Sequence, residues 1–324
     1  MRRAITILLG LGILAALALA VSALCGSTGC MLSPANHELI WMLRVPRVLA
    51  AFAVGGLLSL AGALMQVLLR NPLSDPYVLG LSGGAAAGAL SAMMVALYLG
   101  IGQEGMAGAG AAVGAGIAVL LLFGLVHQPL RRLPAAPFAA GHRLILTGVM
   151  IASGFGALVT LLLSLAPDAQ MRGMVFWLMG DLEGNRFIMP AWLILLAAIG
   201  WAVIHARQLN LLARGESFAQ LLGVPVVRLR VMTVCVASVA TAAAVSAAGT
   251  IGFVGLVVPH AIRLMFGNDQ RILLPASVLA GGSVLTLADL MARTVVAPTQ
   301  LPVGVITALA GVPVFLWLLS RSRA

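Results

Sequence analysis

Lysine is absent from this sequence, and all nineteen basic side chains are arginine. That absence removes whole classes of chemistry. A P-loop needs its lysine on the nucleotide phosphates, so the chain does not hydrolyse ATP by that device. Schiff-base catalysis goes with it. Charge of either sign is scarce: 9% of the 324 residues are charged, against about 25% in a soluble globular domain. The five histidines (His37, His127, His142, His205 and His260) fall at or near the ends of apolar runs. None forms a facing pair suited to haem or metal ligation, which argues against an electron-transfer role and gives no metal site. The net charge of +10 does not indicate nucleic-acid binding, because basic residues flanking membrane spans are the ordinary topology signal.

What remains is hydrocarbon. Hydrophobic residues make up 61% of the chain and the mean hydropathy is +1.10. Several apolar runs are long enough to cross a bilayer core of about 30 Å. The fold class is all-α: a polytopic membrane protein forming one transmembrane domain over residues 1–324. Ten spans are expected, at about 4–24, 47–69, 80–99, 106–126, 143–166, 187–206, 229–249, 251–266, 272–293 and 303–320. With both termini cytoplasmic, fourteen arginines fall inside, against five outside (Arg44, Arg47, Arg172, Arg186 and Arg293). This is a positive-inside bias, and an odd span count would spoil it. The first run exceeds the 7–15 residues usual for the apolar part of a signal peptide. It reads as an uncleaved span, with a cleaved signal as the alternative. Cys25 and Cys30 follow it in CGSTGC; a small disulfide loop on an oxidising outer side and two free thiols are both open.

The most polar stretch is 207–230, RQLNLLARGESFAQLLGVPVVRLR. Leu209, Leu211, Leu212, Phe218, Leu221 and Leu222 fall at helical spacing on either side of Gly215. The pattern predicts two short amphipathic helices on the cytoplasmic membrane surface. Such a platform is either gripped by another protein or is a solvated connector. Two further stretches, RNPLSDPYVLGLSGGA and GTIGFVGLVVPHAIRLMFGNDQR, interrupt the apolar pattern with proline and glycine. Broken helices at membrane depth are tolerated only where protein or a water-filled cavity covers the backbone.

Polar groups inside the spans are few. Asp289 is the one carboxylate well inside a span, and Arg293 lies one helical turn further out, placed for an i,i+4 pair. A proton- or sodium-coupled transporter using Asp289 is one reading, although such a device needs further ionisable groups deep in the bundle. Arg44, Arg47 and Arg293 gather on a side otherwise poor in positive charge. They suit either an acidic soluble partner or lipid headgroups. Gly148, Ala152 and Gly156 form a ridge of small residues on the fifth span, fit for a subunit interface, a pathway wall or ordinary helix packing.

Four long motifs, in order, resemble the FecCD-type permease subunits of bacterial ABC importers for vitamin B12, haem and ferric siderophores. They are RVPRVLAAFAVGGLLSLAGALMQVLLRNPLSDPYVLGLSGGA, LNLLARGESFAQLLGV, GTIGFVGLVVPHAIRLMFGNDQRILLP and LADLMARTVVAPTQLPVGVITALAGVPVFLWLL. The resemblance implies the type II importer architecture in the bacterial inner membrane. It implies a homodimer, two separate ATPase subunits carrying ATP and Mg, a periplasmic binding protein, and no cofactor on this chain. It casts 207–228 as the coupling helices, with Arg214, Gly215, Glu216, Leu222 and Gly223 as ATPase-coupling residues. It likewise casts Arg44, Arg47 and Arg293 as binding-protein docking residues, and places Gly148, Ala152 and Gly156 beside the pathway or dimer interface. Gly141 and His142 depart from the family's gate region as it is known in the vitamin B12 permeases, so no gate chemistry is carried over. Asp181, Glu183 and Arg186, in the segment expected to cap the outer mouth, are candidates for tuning substrate or partner choice.

Overall fold

The computed structural model describes residues 2–27, 29–30, 40–102, 104–131, 139–182 and 188–321. Glu183 and Arg186 lie outside the described residues, as does the side chain of His142. Helix α1 (Arg2–Leu24) leads into a ribbon of β1 (Cys25–Gly26) and β2 (Gly29–Cys30), antiparallel and closed by a Cys25–Cys30 disulfide. This settles the alternatives for the cysteine pair. There follow α2 (Val45–Leu68), α3 (Leu81–Leu99), α4 (Glu104–Arg131), α5 (Ala139–Leu165), the short α6 (Asp168–Leu178) and α7 (Ile188–Arg214). The chain ends with α8 (Glu216–Leu221), α9 (Val226–Ala248), α10 (Val254–Phe266), α11 (Gln270–Thr294) and α12 (Val303–Arg321). The side bearing Arg47 and Arg293 is called outer here, after the arginine distribution.

Helix α2 is the axis of the bundle. Every residue from Ala50 to Val67 is buried. A helix that is apolar all round must be covered all round; α7, α9, α10 and α11 do so. Small residues set how closely they come. Gly62 of α2 meets the Gly255 carbonyl of α10, and Gly55 meets the Gly281 carbonyl of α11, backbone against backbone. This contact between small residues is what drives helix association in lipid, where burying apolar side chains gains little over leaving them in acyl chains. Helix α1 packs on α11, α3 pairs with α4, and α5 lies along α3.

Nine helices among the described residues are long and apolar enough to span a membrane. The helix expected at 251–266 begins later, at Val254. It has only 13 residues, roughly 20 Å at 1.5 Å per residue, and residues 249–253 precede it in non-helical backbone. Phe253 there takes a left-handed conformation, φ 69°. The reason is packing rather than propensity, because the two interrupted stretches dock on each other. The Tyr77 hydroxyl donates to the Ile251 carbonyl (3.1 Å) and accepts from the Ile251 N–H (3.0 Å). Thr250 Oγ1 donates to the Leu178 carbonyl at the end of α6, and the Asp181 N–H donates to the Ala248 carbonyl at 2.9 Å. The broken backbone is thus satisfied internally.

Tyr77→Phe removes both partners of Ile251 at once. It is expected to cost about 1–3 kcal/mol, the price of leaving buried backbone groups unpaired. Thermal unfolding of the detergent-solubilised protein checks this; an unchanged midpoint would mean that water replaces the hydroxyl.

Candidate coupling elbow and outer arginine network

The stretch at 207–230 forms an elbow. Two short surface helices were expected on either side of Gly215. Instead, α7 runs unbroken through Arg214, because Ala206, Leu209 and Leu212 keep facing the core and are each at most 1% exposed. Only the second short helix exists, the six-residue α8. Gly215 makes the break with φ 135° and ψ 145°, a conformation open to glycine and strained for any other residue. Gly223, at φ 77°, turns the chain back into α9.

Ala219 anchors α8 to the body and is fully buried. Phe218, Leu221 and Leu222 point away and are 43%, 86% and 55% exposed. Arg214 is exposed beside them. Glu216 does not face outward. Its carboxylate pairs with Arg230 at 3.2 Å, and the Arg230 side chain is only 4% exposed, so the pair fixes the angle between α8 and α9. A cleft of about 590 Å³ opens beside it, lined by Gln220, Val224, Arg228 and Met232 among others.

At the outer side one carboxylate gathers two guanidiniums. Asp289 is fully buried. Its Oδ1 accepts from Arg47 Nε at 3.0 Å and lies 2.9 Å from Arg47 Nη2. Its Oδ2 lies 2.9 Å from Arg293 Nε. The expected i,i+4 pair is therefore present, but the cross-helix partner on α2 was not foreseen. Arg47 Nη1 also donates to Gln300 Oε1 at 2.8 Å, and Arg293 Nη2 to Ser22 Oγ at 2.8 Å. Arg44 turns towards the disulfide ribbon, donating to the Leu24 carbonyl at 2.7 Å and, at the long end of the range, to the Gly29 carbonyl at 3.4 Å. The network ties α1, α2, α11 and the ribbon together. All three arginines expected to dock a partner spend hydrogen bonds on their own chain. Arg47, with 12% of its side chain exposed, is the one that most reaches solvent. Two guanidiniums around one carboxylate leave a local surplus of positive charge. A further cation is repelled there, and this counts against Asp289 as an ion-coupling site.

The small-residue ridge of α5 divides. Gly148 packs on the Val78 carbonyl, and Ala152 lies against Gly80 and Gly83, all within the subunit. Gly156 has open space before it, on a helix face it shares with the exposed Val149 and Ser153.

One cluster escaped the sequence reading. Asn210 of α7 donates through Nδ2 to Asp269 Oδ1 at 2.7 Å and accepts from the Gln270 N–H at 2.8 Å. Burial pushes the Asp269 carboxyl up, but the bonds from Asn210 and the Arg271 N–H, with the Arg271 charge, outweigh it and hold the carboxyl below its usual range. The stabilisation from that ionised carboxylate is complete above the ordinary aspartate pKa and is lost as pH falls through the lowered value. The signal was the polar run GNDQ, whose partner across 59 residues no local pattern could supply.

Fold and site together define a multi-pass helical membrane permease. The chain belongs to the FecCD transport family, whose profile matches residues 4–321. It is 37% identical to the vitamin B12 import system permease protein BtuC of Escherichia coli O9:H4 (strain HS), over 99% of this chain and 97% of that one. It is 39% identical to the uncharacterized ABC transporter permease protein YvrB of Bacillus subtilis (strain 168), over 90% of this chain and 81% of that one. A solved structure described as an inward-facing conformation of a transporter assigned to the metal-chelate ABC type superposes with a TM-score of 0.84. It has 28% identity and covers 98% of this chain and 99% of its own. The chain is thus a type II ABC importer permease of the bacterial inner membrane, and ATP hydrolysis belongs to separate subunits.

Proposed function

We propose that this permease moves vitamin B12 or an iron chelate (a ferric siderophore or haem) inward. In this reading two copies surround a central pathway, two ATPases bind at the elbows and carry ATP and Mg, and a periplasmic binding protein delivers the solute. The chain itself binds no cofactor. The observation that carries the proposal is α8: a six-residue helix held rigidly at Ala219 and Glu216, presenting Phe218, Leu221 and Leu222 to the cytoplasm. Exposed apolar side chains on a braced helix, rimmed by Arg214, suit a groove on a partner protein. Within this reading Glu216 is the brace, Gly215 and Gly223 are the bends, and Leu222 and Arg214 touch the ATPase.

The open face of α5 around Gly156 suits a weakly binding pathway wall. An apolar groove of about 400 Å³ between α10, α11 and α12 is a surface that a second copy can cover. At the outer mouth the surplus positive charge of Arg44, Arg47 and Arg293 favours an acidic binding-protein surface, with Arg47 the first to meet it. Vitamin B12 gains weight from the BtuC likeness, and metal chelates as a class from the structural one.

The test is a substrate panel. The gene is deleted, and uptake of labelled vitamin B12, haem and several ferric siderophores is followed with and without complementation. Restored uptake of one compound names the substrate class; restored uptake of none, with no ATPase co-purifying, overturns the reading. A second test concerns coupling. Glu216→Ala combined with Gly223→Leu frees the brace and blocks the left-handed turn. Uptake is expected to fall at least about tenfold, the factor set by 1.4 kcal/mol, while the permease dimer and the ATPase activity of its partner subunits persist. Unchanged uptake would remove α8 from the coupling path.

A further inference from the structure

The Asn210 cluster lies outside every role assigned so far. Asn210 sits about one helical turn before Gly215, on the segment of α7 that leads into the elbow. Its amide is used at both ends, as donor to Asp269 and as acceptor from the Gln270 backbone. Asp269 meanwhile caps α11 by accepting from the Arg271 N–H at 3.1 Å. Gln270 is fully buried and donates to the Asn268 carbonyl and side chain at 3.1 and 3.2 Å. A solvated asparagine needs no such arrangement. Two bonds of opposite sense, made to consecutive residues at another helix's first turn, fix both the distance and the rotation between two helices.

Helix α11 then continues without a break for 25 residues, and near its far end carries Asp289 and Arg293. One continuous helix, with Pro275 inside it, therefore has its cytoplasmic end tied beside the elbow and its outer end tied to α1 and α2. We infer that Asn210 is a positioning residue of the transport cycle. It clamps the end of α7 that bears the coupling elbow to the first turn of α11, so that a shift of α8 reaches the outer arginine network along α11. The inference rests on the reading of α8 as the ATPase-contacting segment.

The experiment uses the full complex, permease with its ATPase and binding protein, in proteoliposomes. ATP hydrolysis is measured alongside ATP-driven uptake of labelled vitamin B12 or, where the panel selects it, haem or a labelled ferric siderophore. A wild-type complex that takes up none of them overturns the proposed function itself, before any variant is made. With wild type active, Asn210→Asp sets two carboxylates against each other. The solute moved per ATP hydrolysed is expected to fall about tenfold, the scale set by losing a charge-assisted hydrogen bond. Adding Asp269→Asn restores an amide–carboxylate pair in reversed sense, with the new Nδ2 donating to the carboxylate at position 210 and the new Oδ1 left to cap the Arg271 N–H. The ratio is expected to return to within about twofold of wild type, the coupling signature of a direct contact.

A clamp that only stabilises the fold would lower yield and melting temperature while leaving that ratio unchanged in the surviving protein. Such a result overturns the inference, as does failure of the reversed pair to recover. Asn210→Ala serves where Asn210→Asp does not assemble: the same fall supports the inference, and an unchanged ratio sinks it.

Discussion

Asp289→Ala is expected to destabilise the permease by about 3–5 kcal/mol, because it strands two buried guanidiniums without their counter-charge. Arg293 is 5% exposed and the Arg47 side chain 12% exposed, so neither can recover its hydration in place. Arg47 would keep Gln300 and Arg293 would keep Ser22. These neutral acceptors satisfy some N–H groups but cancel no charge. Asp289→Asn should fare little better, since the shape survives and the charge does not.

Replacing the whole set (Asp289→Leu, Arg47→Met and Arg293→Met) is expected to restore much of the stability, as apolar substitutes of similar volume often do for buried ion networks. Thermal unfolding in detergent, with uptake measured on the same variants, reads both effects. An ion-coupling carboxylate would behave oppositely: Asp289→Asn would keep its melting temperature and lose transport. The restored triple variant has a further use. If it folds but no longer takes up solute, the outer arginines act on the binding protein as well as on their own chain.

Much of the architecture was legible in the sequence. Hydrophobic length located the membrane helices, since a bilayer imposes one dimension on every span. It misplaced the start of the helix at 251–266 for a physical reason. Hydropathy measures apolarity, and residues 251–253 are apolar enough to pass for helix. Their true conformation depends on Tyr77, more than 170 residues earlier in the chain, which supplies the hydrogen bonds that helix would otherwise supply. The elbow was half legible. Gly215 announced a break, but whether the residues before it formed a separate helix depended on Leu209 and Leu212 finding the core, which is a tertiary fact.

The outer arginines show a third kind of gap. Their rarity on that side marked them, and a chain with nine acidic residues in all offers few partners. Sequence alone still could not choose between Asp289 and a foreign carboxylate. The structure brings Arg47 to Asp289 because Val45–Leu68 and Gln270–Thr294 run close together, and that closeness comes from glycines rather than charges.

Those glycines give the other large effect. Gly62→Leu is expected to cost 3 kcal/mol or more, at or beyond the upper end of roughly 1–3 kcal/mol typical for overpacking. Even a methyl group at this position would sit inside the Gly255 carbonyl. The obstacle is backbone, so no rotamer change relieves it, and α2 and α10 must separate. Separation pulls on Gln66, whose Nε2 donates to the Leu256 carbonyl at 3.1 Å. It also pulls on Gly255, which packs against Pro76 in the turn that carries Tyr77. The interlock of the two broken stretches should therefore loosen with it, and the loss should exceed that of Tyr77→Phe.

Gly154→Ala is the control. It is an exposed position of α5 with nothing near its missing side chain, and alanine there should be neutral or stabilising by up to about 1 kcal/mol through helix propensity. Melting temperatures of the two variants, measured in one detergent, separate close backbone approach from a general intolerance of glycine replacement. An unshifted Gly62→Leu would mean that α2 and α10 can part without cost, and would undo the account of α2 as the axis on which the other helices are packed; two equally large losses would mean general intolerance instead.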